Sequence, residues 1–163
     1  MTAEPLLKLA ARMLAKHRLD AVLIGNAAAA LQGAPVTTMD LDFFMRASPQ
    51  NVAKIRRIAD DLKAPIGQPY YPASTLYRIS REEDDLQFDF MTSISGIRSF
   101  EGVHSRASRV EFDGRPLWVA SLDDVIRSKA AAGRPQDLAV MPILRRVVKE
   151  RARYYRTRSK HDA

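Results

Sequence analysis

The sequence predicts an α/β or α+β fold built on a mixed sheet, and three observations point to it. Stretches of helical period alternate with short apolar runs of strand length. Two pairs of those runs flank tight turns, as hairpins do. From Arg134 onward the chain reads as helix. With 163 residues and 46% hydrophobic content, the chain fills one real core.

Each element has its own signal. Leu6, Ala10, Met13, Leu14 and His17 recur at helical spacing, so Met1 to Lys16 is an amphipathic helix rather than a secretory leader. Asp20 to Ile24 is a short buried strand. Asn26 to Gln32 is a second, alanine-rich helix that can pack closely on a sheet, and Gly33-Ala34-Pro35 stops it. Met39 to Met45 is an acidic strand. Ser48-Pro49 reads as an N-cap with proline at the first helical position, ahead of the stripe Ile55, Ile58, Ala59 and Leu62. Residues 64–73, with Pro65, Gly67, Pro69 and Pro72, form a loop. Leu76 to Ile79 and Leu86 to Thr92 make a hairpin around Arg81 to Asp85. A second hairpin joins Arg109 to Phe112 with Pro116 to Val119 through Asp113-Gly114, a strong turn signal. Ser121 caps a helix through Ala132 that Gly133 ends, with Asp123 and Asp124 well placed for its dipole. Arg134 to Tyr155 is helical again, with a bend expected at Pro142. Neither a repeat nor a low-complexity linker interrupts the chain.

Composition excludes several classes. Without cysteine, neither a disulfide nor a thiolate metal site can form. No apolar run approaches the roughly 20 residues that span a bilayer, so a cytoplasmic protein without a membrane partner is expected. The net charge of +7 sits in one place. Residues 145–160 hold eight Lys or Arg against Glu150 alone, which leaves 18 basic and 18 acidic residues elsewhere. The pI of about 10.0 therefore describes a tail, not the fold. A polyanion such as RNA would suit that tail, and so would a solubilising, partly frayed terminal helix. The expected organisation is one domain over 1–140 and a basic helical extension over 141–163.

The chemistry concentrates around Asp40-Leu41-Asp42. Alternate residues of a strand share a face, so Asp40 and Asp42 project together. Neighbouring carboxylates repel unless a cation lies between them, and hard oxygen ligands suit Mg²⁺. Upstream, Gly25-Asn26 opens a helix whose free N–H groups can meet a phosphate. Downstream, Leu86, Phe88 and Phe90 share one strand face and leave Asp89 on the other. If that strand lies beside the acidic one, three carboxylates converge. A phosphate cradle beside metal-binding carboxylates is what nucleotidyl transfer requires. The rival readings are plainer: a solvated strand end for Asp40 and Asp42, an exposed strand face for Asp89, a simple N-cap for Asn26. Lys129 could be a snorkelling surface lysine, and Asp137 a helix cap or an i, i+3 partner of Arg134. His17, His104 and His161 show no metal-ligand spacing.

The stretch from Gly25 to Asp42, with Asp89 after it, resembles the polymerase-beta-like nucleotidyltransferase superfamily. A second block, Val119-Ala120-Ser121-Leu122-Asp123-Asp124-Val125-Ile126 through Lys129 to Gly133-Arg134-Pro135-Gln136-Asp137-Leu138, is similar to one in minimal bacterial nucleotidyltransferases and abortive-infection toxins. The resemblance covers roughly residues 20–140. It implies a mixed, mainly antiparallel sheet flanked by helices, with a helical C-terminus. It also implies Mg²⁺-dependent transfer of a nucleoside monophosphate from an NTP to an acceptor hydroxyl. Asp40, Asp42 and Asp89 would be the metal ligands of a two-metal site and, with Lys129, the catalytic groups. Gly25, Asn26, Thr38, Lys129, Arg134 and Asp137 would bind the nucleotide. The acceptor would be RNA (tRNA among them, through residues 145–160), a protein or a small molecule, and the setting a toxin–antitoxin or defence system with an antitoxin partner. Val36-Thr37-Thr38 stands where several members carry an arginine, which Lys129 or Arg134 could replace. The alternative is a catalytically weak member of the fold that binds RNA or regulates.

Overall fold

An uninterrupted apolar run is a strand only where both faces are covered, and Ala21–Ile24 (β1) is buried at all four positions. The computed structural model describes residues 3–38, 40–69 and 75–162. Met1, Met39 and Pro72, which entered the readings above, lie outside them. The chain begins with α1 (Glu4–Lys16), then β1 and α2 (Gly25–Leu31). Next come β2 (Leu41–Met45), α3 (Pro49–Leu62) and β3 (Ile66–Gly67). β4 (Leu76–Arg81) and β5 (Leu86–Met91) form the first hairpin, and α4 (Phe100–Arg106) follows. β6 (Ser108–Phe112) and β7 (Arg115–Val119) form the second, ahead of α5 (Leu122–Ala132) and α6 (Pro135–His161).

The strands form one sheet in the order β3-β4-β5-β2-β1-β7-β6. Four contacts are antiparallel: β1–β2, β3–β4, β4–β5 and β6–β7. β1–β7 and β2–β5 are parallel, so the sheet is mixed and mainly antiparallel, as expected. Parallel neighbours need a crossover, and α3 with the β3–β4 pair supplies the one between β2 and β5. That crossover decides the site, because it sets Asp42 opposite Asp89.

Aromatic packing holds this register. Phe43 stacks on Phe90 at 5.3 Å and meets the edge of Phe88 at 6.2 Å, all three fully buried. Ile55 and Ile58 of α3, and Leu7 and Ala10 of α1, belong to the same core. The caps follow the sequence closely. Ser48 Oγ accepts from the Asn51 N–H, and Ser121 Oγ from the Asp124 N–H. Asp113 and Gly114 both take positive φ (52° and 75°), the requirement of a two-residue hairpin turn.

Several boundaries differ from expectation. α2 begins at Gly25, one residue early, and its N-cap position is Ile24, so Asn26 is not a cap. β2 begins at Leu41, which leaves Asp40 in the bend before the strand. The loop expected over 64–73 contains β3, a two-residue edge strand against β4. α4 had no helical-period signal, being only seven residues long with Gly102 inside. Tertiary contacts stabilise it: Phe100 packs against Phe44 at 5.6 Å, and the Arg46 guanidinium lies 4.4 Å from the Phe100 ring centroid. α6 continues past Tyr155 to His161 and contains Pro142 within one uninterrupted helix. Among the described residues, no helix is long and apolar enough to cross a membrane.

Candidate active site

The C-terminal end of β1, the start of β2 and the Gln87–Asp89–Met91 face of β5 meet at one cavity of about 680 Å³. All nine residues singled out from the sequence line it: Gly25, Asn26, Thr38, Asp40, Asp42, Asp89, Lys129, Arg134 and Asp137. They come from six parts of the chain, and the sheet register and the α5–α6 corner bring them together.

Asp42 sits on the one position of β2 that is not buried, between Leu41 and Phe43, which face the core. Its pKa is pushed up to about 6, first by burial, then by the negative charges of Asp89 and Asp40; Lys129 and Arg134 pull the other way. Asp40 is also raised, by desolvation and by Asp89, with Arg78 opposing. Thr38 Oγ1 donates to the Asp40 carbonyl at 2.8 Å, tying down the bend that carries Asp40. The cluster is therefore a place where negative charge is held against its own repulsion.

Gly25 forms the floor beneath Asp42. Its φ is +69°, and a Cβ there would lie 2.9 Å from Asp42 Oδ2. Both facts require glycine, one for backbone conformation and one for space. Gly25→Ala is expected to cost about 1–2 kcal/mol in urea unfolding. It should also displace the Asp42 carboxylate and, on the reading of this cavity as an Mg²⁺–NTP site, lower that affinity at least tenfold by calorimetry. Unchanged affinity in a folded Gly25→Ala protein would show that the close approach is mere packing. Beside Gly25, Asn26 Oδ1 is buried without a hydrogen-bond partner among the described residues. Such an orphan acceptor is costly and lies in the wall of this cavity.

Asp89 is buried at 5% exposure, so it is not the exposed face of a half-solvated strand. Its two oxygens accept from Arg78 Nε and Nη2 at 2.8 and 2.9 Å, and Oδ2 also accepts from Gln87 at 3.2 Å. The sequence reading missed Arg78. The signal was present in the hairpin: its register pairs Arg78 with Asp89 directly across the strands. Arg78 thus brings a guanidinium to this cavity from β4 rather than from the segment before Asp40.

The opposite wall comes from α5 and α6. Lys129 is buried, which rules out the snorkelling surface lysine. Its Nζ lies 3.3 Å from Asp137 Oδ1, and Arg134 binds Asp137 through Nε at 2.6 Å and Nη2 at 3.2 Å. Burial pushes the Asp137 carboxyl up, yet its bonds to Arg134 and Lys129 outweigh that and hold it below the usual range. Arg134 spans the α5–α6 corner and adds positive charge near Asp42. Asp124, expected to serve only the helix dipole, is buried and accepts from both Arg106 and Arg127, at 2.8 and 3.2 Å.

For a divalent cation, the donor set fits at Asp40 and Asp42: hard oxygens, close together, with Asp42's charge destabilised until something positive arrives. Asp89 already accepts from Arg78 and Gln87, so a metal there would share its oxygens with those donors or displace them. Among the described residues, no group of three or more His, Cys, Asp or Glu is arranged to hold a metal ion.

Comparison with known proteins gives the family and the fold. A family profile described as "Nucleotidyl transferase of unknown function (DUF2204)" matches residues 3–162. No curated protein sequence matches. Among solved structures, the lincosamide antibiotic adenylyltransferase LnuA, bound to lincomycin, superposes with a TM-score of 0.63 at 13% identity. That match covers 90% of this chain and 98% of LnuA. ANT(2")-Ia in complex with adenylyl-2"-tobramycin gives 0.62 at 14% identity, over 98% of this chain and 99% of that one. TM1012 from Thermotoga maritima, assigned as a nucleotidyltransferase, gives 0.56 at 21% identity, over 89% and 91%. At these identities the likeness is one of fold.

Proposed function

This chain belongs to the nucleotidyl transferase family DUF2204, and we propose that it moves a nucleoside monophosphate from an NTP to an acceptor hydroxyl, releasing pyrophosphate. The observation that carries the reading is the raised Asp42 carboxyl, set beside Asp40 and Asp89 in a cavity that Lys129 and Arg134 also line. A protein that merely bound polyanions would gain nothing from mutually repelling carboxylates there.

In this reading Asp40 and Asp42 would hold Mg²⁺, and Asp89 would join them in holding a second ion or take the proton of the attacking hydroxyl. Mg²⁺ held there would supply neutralisation of phosphate charge and polarisation of the phosphoryl group. Gly25 lets the backbone approach the triphosphate without a Cβ in the way, and Asn26 Oδ1 accepts from a donor on the nucleotide or its water. Thr38 keeps the Asp40 bend in place. Lys129 and Arg134 offer positive charge where the leaving pyrophosphate accumulates negative charge. Asp137 orients both cations. Arg78 would share or release Asp89 when a metal binds there, and it can then follow the phosphate charge.

Calorimetric titration of each NTP with Mg²⁺, on the wild type and on Asp40→Ala/Asp42→Ala, tests this. Metal-dependent binding of one NTP is expected, lost in the double variant. A folded wild type that binds no NTP would sink the reading.

A further inference from the structure

The sheet ends differently on its two sides. At one end lies β3, two residues long and too short to template another strand. At the other lies β6, five residues in unbroken register with β7, without a bulge and without proline. Open edges of that length are ordinarily blunted by a bulge, a proline or charges of one sign. β6 instead carries Arg109 and Glu111, opposite charges two residues apart on one face, both exposed. Among the described residues, its backbone bonds to nothing outside β7.

The hairpin fixes which backbone groups face outward. Asp113 and Gly114 form the two-residue turn, so the flanking pair Phe112–Arg115 exchanges both main-chain hydrogen bonds. Bonded and non-bonded pairs alternate in an antiparallel ladder, which makes Val110–Leu117 and Ser108–Val119 bonded pairs too. Arg109 and Glu111 have the other parity, and their N–H and C=O groups point away from β7. Pro116, which has no N–H to give, stands opposite Glu111, where this parity asks for none.

We propose that this edge is the interface of a twofold dimer, in which β6 pairs antiparallel with β6 of a second copy about Val110. A twofold axis normal to the sheet brings the same edge of two chains together and joins their sheets into one. Outward-pointing residues must meet outward-pointing residues, and charge decides between the registers that allow it. Setting Arg109 opposite Arg109 of the second copy, or Glu111 opposite Glu111, puts like charges face to face and leaves part of the strand unpaired. Setting Arg109 opposite Glu111 puts unlike charges together on both sides of the axis and pairs the whole strand. It also sets half-buried Val110 on Val110. The strand thus complements itself about its own midpoint, which is what a second copy supplies and a foreign strand need not. One short strand from each chain makes a small interface, so reversible association at about 1–100 µM is expected. Among the described residues, none of β6 lines the active-site cavity, and the proposal does not rest on the transfer reading.

Sedimentation velocity on the full chain, from about 1 to 200 µM in roughly 0.15 M salt, tests it. The 18.3 kDa chain should move to twice that mass as concentration rises. Glu111→Arg sets arginines opposite each other and should weaken the dimer at least tenfold. Arg109→Glu/Glu111→Arg exchanges the charges and should restore it. Glu111→Pro removes an outward N–H while leaving the bonds to β7 in place, so it should stay monomeric with the far-UV circular dichroism of the wild type. All three variants should match the wild type in the Mg²⁺–NTP titration, so failure here is separable from failure of the transfer reading. A wild type that stays monomeric throughout, a dimer indifferent to Glu111→Arg and Glu111→Pro, no recovery in the exchanged variant, or open-ended assembly in place of a dimer would each overturn the proposal.

Discussion

Asp42→Asn is expected to stabilise the ligand-free protein at neutral pH while abolishing nucleotidyl transfer. The carboxyl of Asp42 titrates near 6 in the folded chain against a usual 3.8. Between those values the native state binds more protons than the unfolded one, so unfolding free energy falls as pH rises through the window. Below about pH 4 Asp42 is protonated in both states and carries no penalty. Above pH 6 its charge is retained at full cost, about 3 kcal/mol from a shift of this size. Asparagine removes that cost. Urea unfolding from pH 4 to 8 should show the variant gaining on the wild type up to pH 6 and staying ahead by up to about 3 kcal/mol. Added Mg²⁺ and NTP should stabilise only the wild type. Transfer should fall by roughly 10³ or more, the scale of losing one preorganised electrostatic group. Parallel stability curves for the two proteins would remove the electrostatic account of this site.

The second large effect concerns Asp137. Its side chain is 2% exposed and serves Lys129 and Arg134 together. Asp137→Ala leaves the Lys129 ammonium buried without its partner, which costs roughly 3–5 kcal/mol. Lys129→Met should cost much less, because Asp137 retains the Arg134 fork and methionine fills the same volume. Chemical unfolding of the two single variants and the double variant measures this. Asp137→Ala should be partly rescued by Lys129→Met, since the double variant strands no charge. If the two losses simply add, the pair is not coupled and the α5–α6 corner is held by packing alone.

These effects explain what could be read in advance. That Gly25, Asp42 and Asp89 reach one cavity was legible in local patterns: a turn before a helix, alternation on a strand, an acidic residue on the face opposite three apolar ones; Asp40 reaches it from the bend before β2 rather than by strand alternation. Ser48, Ser121, Asp113-Gly114 and Gly133 were legible for the same reason, since caps and tight turns are fixed by neighbours within four residues. Lys129 and Asp137 were visible by family resemblance, not by spacing. Arg78 was not seen, although the hairpin register pointed to it. α4 was not seen because seven residues are too few for a period to show, and Phe44 and Arg46, far off in sequence, are what hold it.

The chain by itself determined the alternation of helices and strands, the two hairpins, the acidic pair and the basic tail, because those are written in short-range chemistry. Only the tertiary structure decided that β5 lies parallel beside β2, so that Asp42 faces Asp89. It alone decided that Arg78 holds Asp89, that Lys129 is buried on Asp137, and that α6 runs on past its own core. Each of these depends on burial and on which distant segments become neighbours, and the free energy of a charge is set by that surrounding rather than by the residues next to it in sequence.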